Sequence, residues 1–203
     1  MALLRERGRP ALWVLLLLLT ACQRTVFEHP PAAADCDPAL TGLWLSHGEP
    51  PEADGELELR IGADCRLETL SHERNGERRS EPTHLSTAQI GKRRLLWVDA
   101  GWANRSFDIE PGPLDRPGDV YVFAYRLRDG ELRLFAADDR ALAHAIIDDR
   151  VDGDLLQRGD DLVVRVRGKS EDIAKLVGKQ RLWQRDTQLN FVRSLRDEPV
   201  EKP

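Results

Sequence analysis

A mainly β fold, built on an antiparallel sheet with two short helices in its second half, is what three features of this 203-residue chain predict. Glu56 to Ile61 alternate strictly, with Leu57, Leu59 and Ile61 on one face and charged residues on the other. Asp129-Gly130 stands between two alternating apolar runs, Val120 to Arg128 and Glu131 to Ala136, which is the signature of a type I′ hairpin. Asp161 to Arg167 alternate again, Leu162, Val164 and Val166 against Val163, Arg165 and Arg167.

The chain opens with Arg5, Arg7 and Arg9 ahead of an unbroken apolar run, Ala11 to Leu19, the layout of a signal peptide. That run is far shorter than the roughly 20 residues a helix needs to cross a bilayer. Leu19-Thr20-Ala21-Cys22 closes it and resembles the lipobox of bacterial lipoproteins. The resemblance implies removal of residues 1–21, a diacylglyceryl group on the Cys22 sulfur, and a membrane partner held through that lipid anchor. It also implies that Gln23, following the Cys, sorts the protein to the outer membrane with its domain facing the periplasm. Two or three acyl chains anchor a protein stably where one does so marginally. A plain secreted chain, in which Cys22 is incidental, is the alternative.

Loss of the leader removes a net +2 and turns the formal charge of −5 into −7 over the remaining 182 residues. An acidic chain without a basic stripe excludes sequence-independent nucleic-acid binding. Its length suits one domain, residues 36–196, after a flexible tether over 22–35 rich in Pro and Ala and before a polar tail over 197–203. Cys36 and Cys65 are the two cysteines left besides Cys22, and an even pair in an oxidising compartment reads as a disulfide. A metal pair or two buried thiols are the alternatives.

In chain order, Gly62-Ala63-Asp64 turns the first hairpin. Opposing Ile61 with Cys65 places Leu59 against Leu67 and Leu57 against Thr69, with Cys65 on the buried face. Arg94 to Asp99 and Phe107 to Ile109 read as further strands, and Glu110 to Asp119, with three Pro and two Gly, as an irregular loop. The Asp-Gly turn pairs Arg128 with Glu131, Leu127 with Leu132, Tyr125 with Leu134 and Phe123 with Ala136. Asp138 caps a helix over Asp139 to Ile147, and Ser170 caps another over Glu171 to Val177 that Gly178 ends. Arg181 to Arg185 return to the sheet.

Gly42-Leu43-Trp44, just before the first hairpin, resembles the Gly-x-Trp of the first strand in lipocalin-like barrels. The resemblance implies a closed or partly open barrel in which Trp44 plugs one end and Arg185 or Arg193 packs across it. A sandwich or a curved sheet flanked by helices are the other arrangements the elements allow.

Chemistry is sparsely marked. No Gly-x-Ser-x-Gly and no phosphate-cradling loop occurs, and nothing calls for a cofactor. His29, His47, His72, His84 and His144 lack the spacing of a zinc site. Asp148 to Asp154 is the densest carboxylate cluster, yet Arg150 occupies a ligand position and the twelfth-place Glu of an EF-hand is missing, so it reads as a solvated helix end and turn. Asn104-Arg105-Ser106 is a sequon without weight in a bacterial chain. Trp97 and Trp102 flank Asp99 and Gly101 and are candidates for the mouth of an apolar ligand pocket, with core packing as the plainer reading.

The expected function is thus a non-catalytic binding or envelope-assembly module at the outer membrane, with an envelope protein as a candidate partner. A carrier of a small apolar ligand, a hydrolase with its site in the barrel mouth near Trp97, Trp102 and Asp148 to Asp154, and an inhibitor of a cell-wall hydrolase are the alternatives. An apolar cavity points to a carrier, inward polar groups to an enzyme, and an exposed apolar patch to an interaction protein.

Overall fold

The computed structural model describes residues 24–46, 57–73, 76–159, 161–185 and 189–194, so the leader, Cys22 and the polar tail lie outside it. Among the described residues one large mixed sheet of thirteen strands dominates. The meander runs through β2 (Gly42–Ser46), β3 (Leu57–Ile61), β4 (Arg66–Glu73) and β5 (Gly76–Arg79). Two short strands follow, β6 (Thr83–His84) on β4 and β7 (Ser86–Ile90) on β8 (Arg93–Asp99). β9 (Val120–Arg128) pairs with β8 on one edge and with β10 (Glu131–Phe135) on the other, and β13 (Leu189–Arg193) joins β10 to β2. The sheet therefore curls round an interior. It does not close as a barrel: β6 pairs with β4 and β7 with β8, and Leu85 breaks the run between them. The β-rich fold agrees with the sequence, whereas a closed barrel does not form.

What makes the sheet mixed is β1 (Arg24–Phe27), which runs parallel to β12 (Asp161–Val166), itself paired with β11 (Gly153–Arg158). For residues 24–27 this corrects the reading of residues 22–35 as a flexible tether. Val26 and Phe27 are fully buried, and Phe27 pairs with Val120 where β10 no longer covers the edge of β9. Thr25, Val26 and Phe27 are buried in succession, so the strand shows none of the alternation of a half-solvated one.

The second hairpin has the expected register from Arg128↔Glu131 to Tyr125↔Leu134, and its turn has φ of 51° at Asp129 and 78° at Gly130, as type I′ requires. It ends at Phe135↔Ala124, one step short of a Phe123–Ala136 pair. In the first hairpin the register moves by two, to Ile61↔Leu67, Leu59↔Thr69 and Leu57↔Ser71. Cys65 sits in the turn at φ 59°, its N–H donating to the Gly62 carbonyl at 3.0 Å, while the Gly62 N–H donates to the Arg66 carbonyl at 2.8 Å. An even shift keeps side chains on their faces. Cys65 thus stays buried, and it is bonded to Cys36.

Helix α2 (Asp139–Ile147) matches expectation, with the Asp138 carboxylate accepting from the Ala141 N–H at 2.9 Å. Helix α3 (Ser170–Val177) begins one residue early, and Ser170 is its first residue rather than its cap. Two expected strands are absent. Phe107 to Ile109 is a turn with Asp108 at φ 52°, following a helix, α1 (Ala100–Ser106), that Asp99 caps. Arg181 to Arg185 holds part of a 3-10 turn, Gln180–Leu182, and a lone bridge of Trp183 to Ala137, while the strand comes later as β13.

Where β1, β8, β9 and β12 run, both faces of the sheet are buried. The inner one gathers Trp44, Ile61, Leu96, Val98, Leu132 and Phe191. The outer one, around Phe27, Leu95, Trp97, Val122 and Val164, is covered by α2 and α3 through Leu142, Ile173 and Val177. Arg165 of β12 crosses to Asp119, just before β9, donating at 2.9 and 3.0 Å to its two oxygens; the pair is 8% and 1% exposed. The Asp119 carboxylate raises the Arg165 guanidinium further above its ordinary value. Glu28, which also accepts from Arg165, is held below the usual range, first by the Gly168 N–H.

Candidate functional site

The inner face does not fill its own space. Strands β3, β4, β8, β9, β10 and β13 surround a cavity of about 410 Å³, a size within the range of small-molecule sites. Alternation explains the lining: Leu57, Leu59 and Ile61 from β3, Leu96 and Val98 from β8, Tyr121 and Phe123 from β9, Leu132 and Leu134 from β10. These strands turn their other faces to solvent or to the outer core.

Asp37 caps the 3-10 turn Pro38–Leu40, and the fully buried Trp44 donates from Nε1 to the Leu40 carbonyl at 2.7 Å. Arg193 lies across the Trp44 ring at 4.5 Å and donates to the Ala39 carbonyl at 2.5 Å. Gly42 has φ 132°, a conformation that favours glycine, and brings β2 in beneath Arg193. Of the two arginines expected to pack on Trp44, Arg193 does so. The Tyr125 hydroxyl donates to Asp37 at 2.6 Å, and burial, then the Asp37 carboxylate, pushes its pKa up.

Helix α1 and the turn after it border the cavity. Trp102 borders the cavity, donates from Nε1 to the Glu81 carbonyl at 2.7 Å and meets Phe107 edge-on at 6.2 Å between ring centres. Phe107 and Leu189 both line the cavity and are 41% and 43% exposed, so apolar side chains meet solvent at its rim. Asp108 fastens this turn through an ion pair with Arg78, whose Nη2 donates to it at 2.7 Å. Arg78 also lowers the Asp108 pKa, chiefly by hydrogen bonding.

Of the two tryptophans singled out in the sequence, only Trp102 is at the cavity. Trp97 points the other way, into the outer core, because it is one residue out of phase with Leu96 and Val98. Asp148 to Asp154 is not at the cavity either: Arg150 pairs with Asp148 at 2.7 Å and Arg167 with Asp152 at 2.6 Å. His29, His84 and His144 are exposed, and His47 and the His72 side chain lie outside the described residues. Among the described residues no three side chains are grouped to hold a metal, and no helix is long and apolar enough to cross a membrane. Asn104 is buried, accepting from the Tyr121 hydroxyl at 2.9 Å and donating to Asp115 at 3.1 Å.

Sequence reasoning missed the polar side of the cavity, formed by Arg24 and Thr25 of β1 and by Asp139 of α2. Arg24 donates to Asp115 at 3.0 Å and to the Glu110 carbonyl at 3.3 Å. Thr25 donates to the Asp139 carboxyl, and the two are 8% and 4% exposed. Burial raises the Asp139 pKa, Thr25 offsets part of that, and the neighbouring Asp138 adds to it. The folded state then holds a proton that the unfolded chain releases near pH 3.9. Stability contributed at low pH is lost as pH rises from there through the raised folded value. Urea midpoints between pH 3.5 and 8 should therefore fall with pH more steeply in the wild type than in Asp139→Asn; parallel profiles would show that Asp139 titrates normally.

Comparison with protein-family models, with curated proteins and with solved structures finds no match for this chain.

Proposed function

We propose that this chain is an outer-membrane lipoprotein, anchored through Cys22 with its domain in the periplasm, that holds one small apolar molecule inside the curl of its sheet. The cavity of about 410 Å³ carries the reading. Its walls are aliphatic and aromatic apart from Arg24, Thr25, Thr69, Tyr121 and Asp139, which favours binding over turnover. The Trp44–Arg193 stack, with Gly42 beneath it, supports a lipocalin-like relationship of the curled strands even though the sheet is open. The anchor and its destination rest on Leu19 to Gln23.

The mature chain made without acyl groups, as Cys22→Ser, should bind the apolar fluorophore N-phenyl-1-naphthylamine in a 1:1 ratio. Ala103→Trp, which projects an indole from α1 into the cavity, should weaken that binding at least about tenfold, or about 1.4 kcal/mol. Unchanged binding in a folded Ala103→Trp protein would put the dye elsewhere and end the reading. Intact mass spectrometry of protein extracted from membranes tests the anchor separately: a mass beginning at Cys22 with acyl chains supports it, and an unlipidated mass in the soluble fraction removes it.

A further inference from the structure

The apolar wall of the cavity is interrupted where Thr25 of β1 meets Asp139 at the start of α2, two residues 114 positions apart in sequence. A carboxyl facing an apolar space is costly unless hydrogen-bonded, and the Thr25 hydroxyl together with Asp139's own N–H uses only part of its capacity to accept and donate. Helix α2 does not need Asp139 to begin, because Asp138 already caps it. The cation on this side, Arg24, is engaged by Asp115 and by the Glu110 carbonyl. An anionic head would therefore meet a carboxyl with the nearest positive charge already neutralised. An ammonium head would need Asp139 ionised, against its burial. A hydroxyl suits the pair, since it both accepts and donates.

We propose that Thr25 and Asp139 form a head-group site, and that the cavity takes a single-chain amphiphile with an uncharged, hydroxyl-bearing head, such as a fatty alcohol or a monoacylglycerol. The chain would lie against Leu96, Val98, Leu134 and Phe191. This assignment rests on the reading of the cavity as a binding site. The raised pKa of Asp139 agrees with it, because a carboxyl that keeps its proton can donate as well as accept. The charged groups around the pair are Arg24 on β1, Asp138 on α2 and, through Arg24, Asp115 on the loop.

The test displaces N-phenyl-1-naphthylamine from the unacylated mature chain with four probes of equal length: dodecanol, dodecanoate, dodecylamine and dodecane. Dodecanol should bind about tenfold more tightly than either charged probe. Thr25→Val and Asp139→Ala should each cost it about fivefold, the worth of one hydrogen bond, relative to dodecane bound by the same variant, with an unchanged circular dichroism spectrum showing that the fold is kept. Tightest binding by dodecylamine would mean an ionised Asp139, and tightest binding by dodecanoate would mean that Arg24 directs the head; either overturns the assignment. So does dodecanol binding that neither substitution weakens, or that is no tighter than dodecane binding in wild type. Failure of the dye itself to bind removes the cavity reading first, so the two failures are distinguishable.

Discussion

Replacing Arg165 by methionine is expected to lower the free energy of unfolding by about 3–5 kcal/mol, the usual cost of leaving one partner of a buried ion pair alone. Asp119 is 1% exposed, and besides the two bonds from Arg165 its carboxylate accepts from the Arg116 N–H at 3.1 Å. Without the guanidinium it must keep a buried charge or take up a proton. The pair also joins two parts of the sheet, since Arg165 belongs to β12 and Asp119 leads into β9. Adding Asp119→Leu to Arg165→Met should restore much of the loss, because the isolated charge is then gone. Urea unfolding of the two variants checks both halves; a single variant as stable as wild type, or a double variant no better than the single one, would count against it.

Loss of the Cys36–Cys65 bond should cost about 3–4 kcal/mol, by the chain-entropy argument for residues 29 apart. The expected shift appears twice, in the Cys36→Ser/Cys65→Ser protein and in wild type with reductant, while the variant ignores reductant. Cys65 adds a refinement. Its φ of 59° is left-handed, which costs a residue with a side chain about 1–2 kcal/mol relative to glycine. Cys36→Ser/Cys65→Gly should thus be more stable than the double serine variant by about 1 kcal/mol. Equal midpoints for wild type with and without reductant would show that the bond contributes little.

How far the sequence reached depended on whether a strand has one wet face. The Asp129-Gly130 hairpin, the Leu57 to Ile61 strand and the Asp138 cap were legible because alternation, turn chemistry and capping are local. The two-residue error at Gly62 to Arg66 arose from reading the turn as three residues, without the bulge at Cys65, yet its even size spared every facing assignment. β1 was illegible because Thr25 to Phe27 are buried together and their partner, β12, lies more than 130 residues away. Helix α1 contains Gly101 and Asn104, poor helix formers, and only the Asp99 cap marked it. Phe107 and Ile109 alternate like a strand because both flank a turn that faces the cavity. The cavity itself assembles from side chains scattered between Arg24 and Phe191, so Trp102 alone was within reach.

The early start of β1 bears on how an acylated chain would move. Gln23 alone separates Cys22 from Arg24, so the two are two steps apart, and an extended chain spans at most about 3.6 Å per residue. With Arg24 already hydrogen-bonded into the domain, the leash is about 7 Å rather than the length of a thirteen-residue linker. Such a protein would ride on its membrane like a buoy on a short chain, free to spin about the normal but not to reach across the compartment. Were such a protein also to carry a ligand, whatever exchanged it would have to come to the bilayer surface.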